Sequence, residues 1–441
     1  MIDIIGFLGC LSQCIDKTTL RRLHIIVPAL LAMSGRITML GISRWTGKGG
    51  SYRTVQRFFY SSICWITLNW FMIRTHLLKK SEDCDENVIL IGGDETTVTK
   101  SGKKTHGVDR FFSSIVGKPV PAISFFSLSL ISVNHRKSYP IMMEQVIKAE
   151  KPAEASKKKP MKKDQVGRPK GSKNKNKRNV ELSPEQLWMQ EKVKDLVEQI
   201  GSEIAARYFV YDGAFGNNSS MQMVKQCGLE LISKLRCDAA LYFPYEGPYS
   251  GRGPRKKYGD RLDYEKIPPK YLKDSSVEEG IQTDVYQMTV WNKKFADKLN
   301  VVVIIKTNLK TGKIARAILF SSDLDLAWDK IMLYYSLRFQ IEFNFRDAKQ
   351  HWGLEDFMNV KQIAVHNGAN LSMFMVNVSQ AMLVQSDETL SVNDLKSVYR
   401  GHKYLDEVLK LLPQKPERIF IQQLYDRISS IGKIHVFRKA A

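Results

Sequence analysis

Residues 207–235 read RYFVYDGAFGNNSSMQMVKQCGLELISKL, and the order of residue types along them decides the fold class. Residues 207–211 make a short apolar strand that ends on Asp212. Gly213-Ala-Phe-Gly-Asn217 then turns the chain, residues 220–227 form a helix, and residues 229–235 form a second strand. Strand, turn, helix and strand in that order are the unit of an α/β sheet with parallel pairing.

Working outward, Val88-Ile-Leu-Ile-Gly-Gly-Asp94 is another apolar strand that ends on an acid, residues 122–133 are a fourth strand, and residues 141–147 are read as the start of a helix. Residues 151–180 are expected to be a mobile basic loop, because a run so dense in Lys, Pro and Gly cannot form a core. Within it Gly167-Arg168-Pro169, followed by Lys170, resembles the core of an AT-hook, which lays its arginine in a narrow minor groove. Nonspecific phosphate contact and a bare solvated linker are the plainer readings. Ser183-Pro184-Glu185 opens a capped helix that runs to about residue 206. Residues 240–325 are β-rich, residues 326–351 form one long helix, and the remainder is mostly helical. Asp323 and Asp325 read as N-terminal caps of that long helix.

Residues 1–84 are read as an all-helical N-terminal domain. A helix over 37–45 is broken by Gly47, Gly49 and Gly50, and Ser51 caps a second helix that carries Arg53, Gln56 and Arg57 beside Val55, Phe58 and Phe59. A helix-turn-helix presents its reading helix to a major groove in this way. An ordinary helical hairpin with a solvated basic face fits the same residues.

The chain carries 67 Lys+Arg against 45 Asp+Glu, a net charge of +22, which favours a polyanionic partner, nucleic acid first among them. Its 43% hydrophobic content suffices for a sizeable core and more than one domain. The six cysteines are scattered without zinc-ligand spacing, and the longest apolar runs are too short to span a bilayer. These features are read as a soluble cytoplasmic protein with free thiols.

Chemistry is concentrated in three acids. Asp94 and Asp212 each end a strand, where a carboxylate is costly unless paired or bound to metal, and ligands of α/β sheets gather at such strand ends. Glu95 points to the opposite face of its strand. Glu342 lies in the run YYSLRFQIEFNFRDAK at residues 334–349. Tyr335, Arg338, Glu342 and Lys349 fall on one helix face, with Leu337, Phe339, Ile341 and Phe345 on the packing side. A carboxylate flanked by phosphate-binding side chains suits phosphodiester chemistry with two Mg²⁺ ions. Turn caps at Asp94 and Asp212 and an intrahelical pair between Glu342 and Arg338 are the bland alternative.

Tyr335, Arg338, Glu342 and Lys349, with Gly93-Asp94-Glu95-Thr96, Tyr211-Asp212-Gly213 and Lys349-Gln-His-Trp-Gly-Leu354, resemble bacterial insertion-sequence transposases of the DDE type that carry the Tyr-Arg-Glu-Lys signature. The resemblance covers about residues 85–380. It implies a ribonuclease-H-like mixed sheet with flanking helices, formed by residues 85–239 and 326–380 and interrupted by a β-rich insertion at 240–325. The helical domain precedes it, and a helical region at 381–441 follows.

By the same resemblance Asp94, Asp212 and Glu342 are the catalytic metal ligands, with Mg²⁺ as the ion and Mn²⁺ as a substitute. Tyr335, Arg338 and Lys349 grip phosphates. In relatives an aromatic of the insertion stacks on a flipped base, for which Trp291 is the candidate, a core tryptophan being the alternative. The implied activity is cut-and-paste DNA transposition: binding of terminal inverted repeats, strand cleavage and strand transfer into target DNA. The partner is double-stranded DNA, the acting form a homodimer in a synaptic complex, and the location the bacterial nucleoid. Two rivals keep the same residues: an inactive transposase-derived DNA-binding protein, and a structure-selective nuclease with a ribonuclease-H-like fold.

Overall fold

The computed structural model describes residues 3–78, 88–113, 116–148, 177–201, 203–249, 251, 253–386 and 390–434. The chain opens with helices α1 (Ile4–Phe7), α2 (Lys17–Ala32), α3 (Met39–Trp45), α4 (Tyr52–Phe59) and α5 (Trp65–His76). Asp16 caps α2 by accepting from the Thr18 and Thr19 N–H groups, and Ser51 caps α4 by accepting from Thr54 N–H at 3.3 Å. Val55, Phe58 and Phe59 are buried, as their spacing on α4 predicts.

Among the described residues, twelve strands then form one sheet. β1 (Ile89–Thr99), β2 (Asp109–Ser113), β3 (Lys118–Ser132) and β4 (Lys137–Val146) are antiparallel neighbours, with β3 pairing all three others. After α6 (Pro184–Ile200), the short β5 (Tyr208–Val210) lies parallel to β1, with Ile91 opposite Phe209 and Gly92 opposite Val210. Helix α7 (Asn218–Lys225) carries the chain across to β6 (Glu230–Leu235), also parallel to β5. This is the crossover read from residues 207–235, and it makes the sheet mixed.

The β-rich stretch supplies β7 (Leu241–Pro244), β8 (Tyr258–Arg261), β9 (Leu272–Glu278), β10 (Ile281–Asn292), β11 (Leu299–Asn308) and β12 (Ile314–Ser321). β12 pairs antiparallel with β6, so these strands continue the same sheet. Helices α8 (Trp328–Leu337), α9 (Gln340–His351), α10 (Gln362–Val384), α11 (Val392–Leu411) and α12 (Arg418–Ser430) complete the chain.

The structure corrects four readings. Residues 141–147 do not start a helix, because all but the last belong to β4. Ile141, Met142 and Met143 are buried on both faces of that strand, and a short unbroken apolar run reads alike as strand or buried helix. β1 does not end at Asp94. Its parallel partner stops at Gly92, while antiparallel pairing with β3 carries it on to Thr99. The helix expected over 326–351 is two helices, α8 and α9, parted at Arg338 and Phe339. The break turns Phe339 outward to 49% exposure, while Leu337, Ile341 and Phe345 stay buried. Asp323 does not cap α8, whose N-cap residue is Ala327. It accepts from the Tyr208 hydroxyl at 2.8 Å, pairs with Arg207 at 2.8 Å, and accepts from the Asp325 N–H at 3.0 Å.

Helix α10 ties the N-terminal helices to the sheet through buried asparagines. Among the described residues β4 has no strand on its outer edge, and side chains supply the missing partners. Asn370 accepts from Met143 N–H at 3.0 Å and donates to its carbonyl at 2.7 Å, while Asn377 donates to the Pro140 carbonyl at 2.7 Å. Asn367 accepts from Trp65 Nε1 at 2.8 Å and donates to the carbonyls of Phe59 and Ser61 at 2.9 and 2.8 Å. Replacing Asn367 with leucine strands these three groups, so stability is expected to fall by about 2–4 kcal/mol. A urea titration reads this as a lowered midpoint, and an unchanged midpoint shows that α10 does not depend on this tie.

Candidate active site

The site is built where α9 crosses β1. Two consecutive glycines inside a strand weaken it unless something must approach closely. Here something does. A Cβ on Gly92 would stand 2.6 Å from Ile131 Cδ1 and 2.9 Å from Ile341 Cδ1, and one on Gly93 would stand 2.9 Å from the Tyr211 ring. Gly92 therefore lets Ile341 of α9 rest on the strand, one residue from Glu342 on the helix and two from Asp94 on the strand.

Asp94 and Glu342 are joined through Arg338. Its Nη1 donates to Asp94 Oδ2 at 2.5 Å, and its Nη2 donates to Glu342 Oε1 at 3.4 Å. Asp94 Oδ1 accepts from the Glu95 N–H at 2.9 Å. Asp212 follows β5, accepts from the Ala214 N–H at 2.9 Å as cap of the turn 213–215, and its own carbonyl accepts from the Ser233 hydroxyl at 2.5 Å. Two of the bland readings are thus realised, the cap at Asp212 and the pair of Glu342 with Arg338, while Asp94 lies inside β1 and caps no turn. Neither precludes a role in catalysis, since each uses only part of the carboxylate.

The electrostatics link the three acids. Burial pushes the Asp94 carboxyl above its usual range. The Arg338 guanidinium and the Glu95 N–H pull it down, and the charges of Asp212 and Glu342 push it up again. Glu95 lies on the other face, where burial pushes its carboxyl up and the nearby Tyr211 hydroxyl pulls it down. Tyr335, raised chiefly by burial, feels the charges of Arg338, Asp212 and Asp94, and its ring lies 6.0 Å from the Arg338 guanidinium. Lys349, on α9, donates to the Thr97 carbonyl at 3.2 Å and pairs with Glu355 at 3.4 Å.

Asp94, with Asp212 and Glu342 whose charges it feels, offers hard carboxylate oxygens of the kind that suit Mg²⁺ or Mn²⁺. Among the described residues no three His, Cys, Asp or Glu side chains gather tightly enough to hold one ion. Arg338 bridges Asp94 and Glu342 instead.

The other predicted residues lie elsewhere. Arg53 and Arg57 are exposed on α4 and Gln56 is half-buried beside them. Trp291 is half-buried near the end of β10, edge-on to Tyr258 at 6.0 Å, with the ammonium groups of Lys257 and Lys298 5.6 and 5.9 Å from its ring. Lys293 sits 4.4 Å from the Tyr242 ring in the same cluster. Trp291 is therefore neither a core side chain nor free-standing. Arg168 and Lys170, with nearly all of the basic segment around them, lie outside the described residues.

Sequence reasoning missed Gly92 as a site residue, although paired glycines within an apolar strand are the signal that could have found it. Nothing in the spacing marks the break at Arg338.

Among known proteins, a family model described as DDE superfamily endonuclease matches residues 10–297, more than half of the chain. The match includes Asp94 and Asp212 and ends before Glu342. No curated protein matches the chain.

Proposed function

From the premise that this chain belongs to the DDE superfamily endonucleases, we propose that it is the transposase of a bacterial insertion sequence, cutting and joining DNA with Asp94, Asp212 and Glu342. Endonucleases of this family generally use divalent metal ions, and the proposed ion is Mg²⁺. One observation carries the reading. Gly92 lets α9 lie on β1, so Glu342 and Arg338 face Asp94, within the Tyr335, Arg338, Glu342, Lys349 frame. The order β4-β3-β1-β5-β6, antiparallel and then parallel, supports a ribonuclease-H-like core.

Bound at the acids, the metal would lower the pKa of an attacking water or 3′-hydroxyl and offset charge on the leaving oxygen. The chain's own groups do the rest. Tyr335 at the end of α8, Arg338 in the break and Lys349 on α9 hold backbone phosphates, which aligns the scissile bond with the acids. Trp291, with the ammonium groups of Lys257 and Lys298 about its ring, offers an aromatic surface for an unpaired base. Two protomers acting on paired ends would form the synaptic dimer. Among the described residues no helix is long and apolar enough to cross a membrane.

The test is to incubate the full chain with DNA bearing the element's terminal repeats. Mg²⁺-dependent nicks at the repeat ends, followed by joined products, are expected. Cleavage that follows branched structure and ignores the repeats favours the structure-selective nuclease. Binding without cleavage under any divalent ion favours the inactive descendant.

Helix α4 is proposed to read the repeats. Replacing both Arg53 and Arg57 with alanine is expected to weaken end binding at least about tenfold, and to lower the salt slope by about 1 for each phosphate no longer neutralised. Equal binding by parent and variant leaves α4 as a solvated basic helix.

A further inference from the structure

Arg338 occupies an unusual position on several independent counts. It sits in the two-residue break between α8 and α9, where backbone bonds tighten from four-residue to three-residue spacing. Arg338 N–H donates to the Tyr335 carbonyl, Phe339 to Ser336, Ile341 to Arg338 and Glu342 to Phe339, at 3.0–3.3 Å. A three-residue-spaced turn inside a helical run marks a hinge or local strain. The guanidinium spans Asp94 and Glu342 with only 15% of the side chain exposed. Its Nε–H is buried and has no hydrogen-bond partner among the described residues.

A guanidinium stays protonated at any working pH, so it cannot yield its place by losing a proton. A divalent cation held by the same acids would face that positive charge at close range. Ion and guanidinium compete for Asp94 Oδ2 and Glu342 Oε1, so binding of one disfavours the other. Its planar fork is also incompletely used where it rests. Both Nη groups serve carboxylates, but the Nε–H edge, which pairs with an Nη to take an oxyanion two-pronged, lacks an acceptor. A phosphate supplies the oxygens that edge lacks.

We infer that Arg338 is the resident counter-cation of the acid trio in the metal-free protein, exchanged for a divalent ion, and that on release it takes a DNA phosphate. Metal and DNA then bind cooperatively, because each favours the arrangement in which Arg338 has left the acids. The inference rests on the metal-ligand reading of the three acids and adds to it a defined role for the arginine between them.

The measurement uses the full chain and two readouts other than turnover. Mn²⁺ binding without DNA is followed by the resonance signal of the free ion, and binding of a labelled end duplex is followed in Ca²⁺ and in EDTA. Arg338→Gln, which keeps the length but not the charge, is expected to bind Mn²⁺ about tenfold more tightly than the parent, the scale of one neighbouring charge removed. It should also lose the stimulation of DNA binding by Ca²⁺ that the parent shows. Arg338→Lys keeps a point charge without the fork. It should bind Mn²⁺ nearly as the parent does, yet lose the stimulation.

Unchanged or weaker Mn²⁺ binding by Arg338→Gln, with its melting temperature near that of the parent, overturns the inference. Asp212→Asn separates the two levels. Weaker Mn²⁺ binding in that variant beside an unresponsive Arg338→Gln sinks the exchange and keeps the metal site. Parent-like Mn²⁺ binding in Asp212→Asn, Asp94→Asn and Glu342→Gln alike removes the metal site itself.

Discussion

Asp94→Asn, Asp212→Asn and Glu342→Gln should each lower Mg²⁺-dependent cleavage of transposon-end DNA by about a thousandfold or more. Each substitution keeps shape and removes one carboxylate charge, and several kcal/mol of transition-state stabilisation would depend on the ions these acids are proposed to hold. Stability should not follow the same pattern. Asp94 is 17% exposed and faces a guanidinium 15% exposed, so Asp94→Asn leaves a largely buried cation with only the longer contact to Glu342. A cost of about 1–3 kcal/mol is expected there, below that of breaking a fully buried pair. Glu342 is 45% exposed on its side chain, and its neutralisation should cost much less. Thermal melts beside cleavage assays give both quantities. Equal activity losses with unequal melting shifts support three acids sharing one chemical task, whereas activity that tracks stability across the variants assigns them structural work.

The second large effect is expected at Gly92. A valine there would drive its branched side chain into Ile131 and Ile341, both fully buried, with no room on either side. Overpacking of a closed core costs about 1–3 kcal/mol, and a well-packed interior relieves it by moving α9 away from β1. Glu342 rides on that helix, and Arg338 sits in the break just before it. A displacement of about 1 Å between catalytic groups can cost about a hundredfold in rate, so cleavage should fall further than the melting temperature implies. Gly92→Ala should be milder, because the atoms it meets are the ends of flexible isoleucine side chains. Full activity in Gly92→Val, with an unchanged melting temperature, means that α9 does not depend on this contact for its seat.

These expectations rest on features that differ in how far they can be read from residues alone. Asp94 and Asp212 are legible because each follows a run of core side chains, and a charge in that position demands an explanation. The crossover over 207–235 is legible because strand and helix there are short, bounded by Gly and Asn, and adjacent in the chain. Ser51 and Ser183 announce their helices by local hydrogen bonds, and both caps form as expected. Long-range partners are another matter. Whether β1 stops at Asp94 or runs to Thr99 depends on β3, more than twenty residues away. Residues 141–147 look alike as helix or strand until α5, α10 and the asparagines of α10 close over them. That the β-rich stretch joins the core sheet is decided by β12 meeting β6, which no local pattern encodes. The break at Arg338 is hidden for the opposite reason: every residue around it suits a continuous helix, and contact with Asp94 across the site accompanies the departure from one.

The central claim is that three acids on β1, after β5 and on α9 make one metal-dependent centre for DNA cleavage. Its most direct test maps strand breaks on a plasmid carrying the element's two ends, treated with the parent protein and with Asp212→Asn in Mg²⁺ and in EDTA. Breaks at the repeat ends in Mg²⁺ that vanish both in EDTA and in Asp212→Asn, with end binding retained, are the result expected here. Breaks that persist at parental levels in Asp212→Asn, or that form equally in EDTA, contradict it.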